Sequence, residues 1–257
     1  MDESELRGLY ETQLAERARN RYLPEYDRTA AGVVLNACRR LPATTLPPED
    51  EERTWVFSDP HFEHEGSIHA FGRPFWNSAQ GDAHLLKEWT LNIRKQDTVL
   101  CLGDVTMGCP SHVLIDLLRR APGRKILVVG NHDNAFLAEL ESGFDEVACC
   151  AHLPGGYDEP ELLCTHIPLD RVPDGYVNVH GHVHRKSTVD KARINVCVEQ
   201  IEYTPVPMPD IRTLAQRLEI AARVDPPHRF GSTPTHRLIT WAKNLASVGA
   251  AGEGAGP

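Results

Sequence analysis

Apolar residues recur along this chain in two rhythms: spacings of three and four that suit helices, and short unbroken runs that suit buried strands. Leu6, Leu9, Tyr10, Leu14 and Ala18 share one face of an amphipathic helix over residues 4–19, with Asp2 or Ser4 placed to cap it, and residues 30–41 form a second helix. Pro42, Pro47, Pro48 and the acidic run from Glu49 to Glu52 read as an exposed linker, so the compact domain is expected to begin near Arg53. Strands are predicted over 53–58, 98–102 and 125–129, separated by helices over 82–95 and from Ser111 to Pro122. Unbroken apolar strands alternating with helices argue for burial on both faces and largely parallel order. Residues 66–80 read as an irregular insertion plugged by the aromatics of Phe71-Gly72-Arg73-Pro74-Phe75-Trp76.

Beyond a helix over 135–142 the pattern turns strand-rich, with runs over 146–150, 161–164, 176–179 and 193–198 that form a second sheet packed on the first. Helices are expected over 211–222 and 236–245, before a Gly/Ala tail over 249–257 that has nothing with which to bury surface and is expected to be disordered. With 257 residues, 41% of them hydrophobic, the chain can bury one substantial core. Its formal charge of −9 disfavours non-specific binding to long nucleic acid or to anionic membrane. No apolar stretch approaches the roughly 20 residues of a membrane span, and the start Met1-Asp2-Glu3-Ser4-Glu5 is acidic where a secretory signal is basic, so a cytoplasmic location is expected. Seven cysteines without a C-x-x-C pair suit a reducing compartment, with Cys101, Cys164 and Cys197 as small buried hydrophobes. Cys149-Cys150 is read as strand-edge packing in preference to a metal or redox pair.

The candidate chemistry lies where the predicted strands end. Val177-Asn178-Val179 runs into His180-Gly181-His182-Val183-His184, and imidazoles two apart can reach one cation from a loop. Earlier strands end in Asp59-Pro60-His61, in Gly103-Asp104, in Gly130-Asn131-His132-Asp133 and in Thr165-His166-Ile167-Pro168. Ligand sites of open α/β sheets form at such carboxyl ends. In order the segments spell D-x-H, G-D, G-N-H-D, H-x-P and G-H-x-H.

That ordered set resembles the calcineurin-like metallophosphoesterase superfamily, and more closely bacterial members with an S-D-x-H-F-x-H first motif and an R-P-F loop, here Ser58 to His64 and Arg73-Pro74-Phe75. The resemblance covers roughly residues 53–209, through Asn195-Val196-Cys197-Val198-Glu199 and Tyr203-Thr204-Pro205-Val206. It implies an α/β (α+β) fold, a two-sheet β-sandwich flanked by helices. The catalytic domain would span 53–209, between an amino-terminal helical extension and linker over 1–52 and carboxyl-terminal helices over 210–248. It also implies two divalent metal ions drawn from manganese, iron, zinc, cobalt or nickel. Asp59, His61, Asp104 and His184 would hold the first ion, and Asp104, Asn131, His166 and His182 the second, with Asp104 bridging.

The implied reaction is attack on phosphorus by a hydroxide held between the metals. His132 would stabilise the transition state and protonate the leaving oxygen, and Asp133 would orient His132 or its loop. His64 and Arg73 are candidates for substrate binding or for structural roles, and Arg185 and Lys186 either rim the site or lie on a solvated turn. His180 should point away from the metals, and Glu63 adds negative charge close to the site. A small phosphate ester is the expected substrate, with phosphodiesters favoured over monoesters. A catalytically silent binding scaffold and a metal-dependent nuclease are the alternatives. Retention of every expected ligand speaks against the first, and the acidic balance against the second.

Overall fold

In the computed structural model, residues 1–186, 190, 192–224, 233–240 and 242–243 are described, with side chains inside the last long helix followed as far as Leu218. The chain opens with α1 (Glu3–Arg19) and α2 (Glu25–Cys38), then β1 (Thr44–Thr45) and β2 (Thr54–Phe57). It continues through α3 (Glu65–Ala70), α4 (Ser78–Asn92), β3 (Thr98–Cys101), α5 (His112–Arg120), β4 (Arg124–Val128) and α6 (Leu137–Leu140). Next come β5 (Glu146–Ala148), β6 (Ala151–Leu153), β7 (Glu161–Thr165), β8 (Tyr176–His180), β9 (Arg193–Asn195), β10 (Val206–Pro207) and α7 (Met208–Val224).

Two five-stranded sheets result, in the orders β10-β2-β3-β4-β5 and β1-β6-β7-β8-β9. In the first, β2, β3 and β4 are parallel, as their unbroken apolar runs predict; β5, expected in the second sheet, instead pairs in parallel with β4, and β10 adds an antiparallel edge. In the second, β7, β8 and β9 are parallel and β6 is antiparallel to β7. Val56, Leu100 and Ile126 of the first sheet share one buried cluster with Leu162, Val179 and Ile194 of the second, so the sheets enclose a common core. The sheets are joined where β2 ends: Ser58 donates its amide to the Val196 carbonyl at 3.0 Å and accepts from the Val198 amide at 3.0 Å. That join brings the carboxyl ends of β2, β3 and β4 beside those of β7 and β8.

The two-sheet sandwich flanked by helices is therefore observed, with several local differences from expectation. Helix α2 starts at Glu25 and not at Ala30, set off by Pro24, which places Tyr26 and Asp27 in its first turn. The stretch expected as an exposed linker is bound to the fold: β1 pairs in parallel with β6, Leu46 is buried, and residues Pro48–Arg53 form a 3-10 helix. A two-residue strand leaves no periodicity to read. The expected irregular insertion contains α3 and the start of α4, whose first turn is capped by Asn77 accepting from the Gln80 amide at 2.9 Å. Strand β5 stops at Ala148, and Cys149 and Cys150, both buried, carry the chain across to β6 in the other sheet. Cys101, Cys164 and Cys197 are buried as expected. The predicted 236–245 helix is represented by helical backbone at 235–240 and 242–243, and the predicted tail over 249–257 lies outside the described residues.

Helices α1 and α2 form a hairpin on the outer face of the second sheet. Asp2 and Glu5 close a reciprocal capping box at the start of α1. Leu6, Tyr10 and Leu14 of α1 and Val34 of α2 pack with Leu163 and Ile167 in a second apolar cluster. The hairpin is also hydrogen-bonded to the segment that follows β7. The Tyr10 hydroxyl accepts the Ile167 amide at 3.0 Å, and Gln13 exchanges hydrogen bonds with Arg171 at 2.7 and 2.9 Å. Tyr10→Phe would strip the buried Ile167 amide of its acceptor while keeping the ring. The expected loss is about 1–3 kcal/mol of unfolding free energy, read from denaturant melts; an unchanged midpoint would show that this bond does not fasten the hairpin.

Candidate metal centre

The strand ends that converge here have an unusual backbone. Asp59 (φ 58°), His61 (48°), Asp104 (55°), His182 (70°) and His184 (47°) all lie in the left-handed region, which residues with a Cβ occupy at a cost of about 1 kcal/mol or more. Strain of this kind persists where surrounding contacts over-determine it, and it turns these side chains inward off the strand ends. Two motif glycines are required by close approach. A Cβ on Gly130 would collide with Oδ1 of Asp104, and one on Gly181 with Ser58 Oγ and Asp59 Oδ2.

Besides a group of His184, Cys197 and Glu199, two groups of potential ligands form at the strand ends. In one, Asp59 Oδ1 lies 3.9 Å from His61 Nε2 and 3.7 Å from His184 Nε2. In the other, Asp104 Oδ1 lies 3.4 Å from His166 Nε2, which is 3.0 Å from Asn131 Oδ1, and His182 completes the cluster. Asp104 faces both, because its Oδ2 lies 3.9 Å from His61 Nε2. Supporting bonds orient the ligating atoms. Asp59 Oδ2 accepts from Ser58 Oγ at 2.6 Å and from the His182 amide at 2.8 Å, which leaves Oδ1 facing the histidines. His166 Nδ1 is 2.7 Å from the Leu102 carbonyl and His184 Nδ1 is 3.2 Å from Glu199, so each ring presents Nε2 inward.

Burial and charge set the protonation of these groups. Burial pushes His61 and His182 well below the usual imidazole range, leaving them neutral with a lone pair to offer. Burial also opposes the charge on Asp104, yet the facing His166, His61 and His132 prevail and hold its carboxyl well below the usual range. His166 mirrors this: burial works against its proton, the Asp104 carboxylate outweighs it, and the pKa rises to about 10. Among the described residues Asp59 Oδ1, both ring nitrogens of His61 and His182 Nδ1 are buried without a hydrogen-bond partner. Such orphans are rare in folded proteins, and an oxygen and nitrogen set of this kind fits a divalent cation.

A cleft of about 510 Å³ opens over the two groups, with Tyr26, His61, His64, Phe71, His132 and His184 in its wall. His132 belongs to neither group. Its Nε2 faces the cleft 3.9 Å from Asp104 Oδ2, while its amide donates to Asp104 Oδ1 at 2.9 Å. Asp133 is fully buried and does not touch the His132 ring. Its carboxylate accepts the amides of Asp104, Val105 and Gly130 at 2.7 to 2.8 Å, tying the loop after β3 to the loop after β4. Burial, and then the charge of Asp104, pushes Asp133 up to about 7.

The remaining candidates divide. His64 lines the cleft, with Nδ1 lacking a partner, and Arg185 and Lys186 do form part of its rim. Arg73, offered as a grip on phosphate or as structural, does not line the cleft. Its guanidinium is buried against Glu199 at 2.8 Å and donates to the Pro60 and Asp59 carbonyls at 2.6 and 2.8 Å. Glu63 likewise does not line the cleft; its carboxylate accepts from the Ser111 amide at 2.9 Å and from the Ser111 hydroxyl, ahead of α5. His180 is buried behind the site with Nδ1 2.9 Å from the Gly181 carbonyl, and burial lowers its pKa to about 4.

Three residues at the site went unassigned in the sequence. Glu199 accepts from both His184 and Arg73, and although burial opposes its charge, the His184 hydrogen bond holds its pKa down. Phe71, read as part of a plug, stacks on His184 with ring centres 3.4 Å apart. Tyr26 reaches the cleft from α2. Its ring lies parallel to that of His182 at 5.9 Å and its hydroxyl is 3.5 Å from His132 Nε2. Partial burial and then the charge of Asp104 push its phenol up, while a hydrogen bond with the Asn131 side chain opposes the shift. The place of Glu199 within a motif segment was its sequence signal; no sequence signal ties Tyr26 to the site.

Comparison with known proteins agrees with this geometry. A family model described as calcineurin-like phosphoesterase matches residues 52–243. An uncharacterized protein of Methanocaldococcus jannaschii is 26% identical over 184 residues, covering 67% of this chain and 97% of the relative. The Gene 66 protein of Mycobacterium phage L5 is 28% identical over 162 residues, covering 51% of this chain and 77% of its own. A crystal structure of a protein of unknown function, AQ665 from Aquifex aeolicus, superposes with a TM-score of 0.52 at 27% identity, covering 63% of this chain and 98% of that one.

The Arg73–Glu199 pair yields a test of how the centre is held. Glu199→Gln leaves the Arg73 guanidinium buried without its counter-charge, and breaking a buried pair from one side costs about 3–5 kcal/mol. Chemical denaturation should register a loss of that order, and a loss below about 1 kcal/mol would show that the pair does not brace the His61 and His184 loops.

Proposed function

The chain belongs to the calcineurin-like phosphoesterase family, and from that premise we propose that it hydrolyses phosphate esters at a centre of two divalent metal ions, phosphodiesters in preference to phosphomonoesters. The observation that carries this reading is the position of Asp104, whose two oxygens face different ligand groups. Asp59, His61 and His184 with one oxygen of Asp104 would hold one ion. Asn131, His166 and His182 with the other oxygen would hold the second. Two divalent ions bound there supply Lewis-acid stabilisation of the phosphoryl oxygens and a water activated at neutral pH.

The chain's own part is positioning and proton transfer. His132 stands at the cleft wall, free of both ligand groups, where it stabilises charge on the phosphoryl group and gives a proton to the leaving oxygen. Asp133 holds the two loops that carry Asp104 and Asn131 in fixed relation and thereby sets the place of His132. His64 is available to the substrate from the cleft wall.

Preference for diesters rests on the composition of that wall. Arg185 and Lys186 are its basic side chains, Asp27 opposes them, and Ala70, Phe71, Met107 and Val183 are apolar. A monoester dianion calls for more cationic neighbours than this. A diester has one charge fewer and a second organic arm that an apolar wall can cover.

Two measurements test the proposal. Asp104→Ala should depress metal content from close to two ions per chain by affecting both groups. His132→Ala should keep metal content near wild type and lower kcat by about 10²- to 10⁴-fold. Wild-type protein saturating at one ion or none, or metal loss in His132→Ala equal to that in Asp104→Ala, would contradict the assignment. For substrate class, kcat/KM is compared for a diester and a monoester sharing one leaving group, with the same metals and pH. A monoester preference of tenfold or more, about 1.4 kcal/mol in transition-state binding, would remove the diester claim and leave the broader one.

A further inference from the structure

The family resemblance begins beyond the helical hairpin, yet the hairpin places a side chain in the cleft. Helix α2 begins directly after Pro24, so Tyr26 lies in its first turn, at the end of the hairpin nearest the ligand groups. The hairpin is fastened to two of the loops that build the centre. Tyr10 and Arg17 hold the segment after His166, through the Ile167 amide at 3.0 Å and the Pro168 carbonyl at 3.2 Å. Arg40, just past α2, donates to Asn134 at 2.6 Å beside the loop that carries Asn131 and His132. Tyr26 is therefore positioned by the same loops that position the ligands.

We propose that Tyr26 is a substrate-binding residue, its hydroxyl donating a hydrogen bond to a phosphoryl oxygen held between it and His132, so that the hairpin forms part of the active site. The proposal rests on the phosphoesterase reading above. Three observations converge on it. The Tyr26 hydroxyl and His132 Nε2 are 3.5 Å apart, at the outer limit of a hydrogen bond, and the bond from the Asn131 side chain favours the phenolate oxygen, so the hydroxyl proton remains to be donated to a third oxygen. The ring is parallel to His182 at 5.9 Å, which fixes its plane over the second ligand group. The residue is 55% exposed, so the ring is open to whatever enters the cleft. A phenol also suits the role chemically, because it donates to an anionic oxygen without bringing a charge of its own. A purely structural Tyr26 would act through the contact of its ring with His182, which survives loss of the hydroxyl, or through its hydroxyl's bond with Asn131, whose loss metal content would register.

The experiment compares full-length wild type, Tyr26→Phe, Tyr26→Ala and Tyr22→Phe, all loaded with manganese. Tyr22 is the exposed tyrosine between the two helices and serves as the control. Metal content and melting temperature are measured first, then binding of inorganic phosphate by calorimetry, then hydrolysis of bis(p-nitrophenyl) phosphate. Tyr26→Phe is expected to keep wild-type metal content and melting temperature, to weaken phosphate binding about tenfold and to raise KM more than it lowers kcat, as for loss of a hydrogen bond to a charged group. Tyr22→Phe should match wild type throughout. Phosphate binding in Tyr26→Phe within twofold of wild type overturns the proposal, and so does loss of metal from that variant, which would assign the hydroxyl to support of the ligands. If wild type binds phosphate but hydrolyses no ester, the phosphoesterase reading fails while the phosphate comparison still decides Tyr26; if wild type binds no phosphate, both fail.

Discussion

A carboxylate buried beneath the cleft, that of Asp104, governs the rest of the site. Removing an ionised carboxylate from water costs several kcal/mol unless charges and hydrogen bonds replace the solvent. Here His166 stands at 3.4 Å, His61 and His132 stand at 3.9 Å, and the His132 amide donates at 2.9 Å. These partners come from three strand ends, those of β2, β4 and β7, so Asp104 is stable in place only when both sheets are closed around it. The absence of a Cβ at Gly130 and the left-handed φ at Asp104 are what admit the carboxylate to that position. Asp133 then secures the geometry from behind through three backbone amides.

The same economy explains why the amino-terminal hairpin is integral to the centre. The second sheet presents Leu163 and Ile167 on the face away from the common core, and α1 and α2 cover them with Leu6, Tyr10, Leu14 and Val34. Burial of that cluster supplies the affinity, and the bonds to Ile167, Pro168 and Arg171 supply the register. Because His166 precedes this segment directly, the cover over the second sheet also fixes one of the ligating histidines. Packing on the far side of β7 is thus transmitted to the centre through two residues of backbone.

Much of this was legible in the sequence, and what was not has identifiable causes. The strands before Asp59, Asp104, Asn131 and His166 carry short apolar runs and the one before His182 alternates Val177 and Val179 about Asn178, and their polar termini fall together because open α/β sheets form ligand sites at carboxyl ends. The linkage of Arg73 to Glu199 could not be read from local pattern, because the two are 126 residues apart and both reside in segments whose exposure depends on the fold. Glu63 misled for a related reason: its charge is close to the centre in sequence, but its carboxylate is held by Ser111, 48 residues on, the residue that caps α5. Signals of exposure failed at residues 42–52 because prolines and acidic residues there flank a buried Leu46 and a strand too short to show alternation. Tyr26 escaped notice because the start of α2 is set by Pro24, whereas the apolar rhythm begins only at Ala30.

The layout separates two tasks. The candidate metal ligands come from the ends of core strands, where left-handed backbone and close-packed glycines leave little room for change. The cleft wall comes from elements outside the strands: the first turn of α2, the end of α3 with Phe71, and the turn carrying Arg185 and Lys186. Substitutions in those elements alter what the cleft admits without moving a strand end, so the wall is where substrate choice can vary against constant chemistry. Tyr26 and Phe71 limit that independence, because their rings rest on His182 and His184. A wall residue stacked on a candidate ligand couples the shape of the cleft to the orientation of an imidazole, so the geometry of the cleft is set partly from helices that precede the strands of the first sheet.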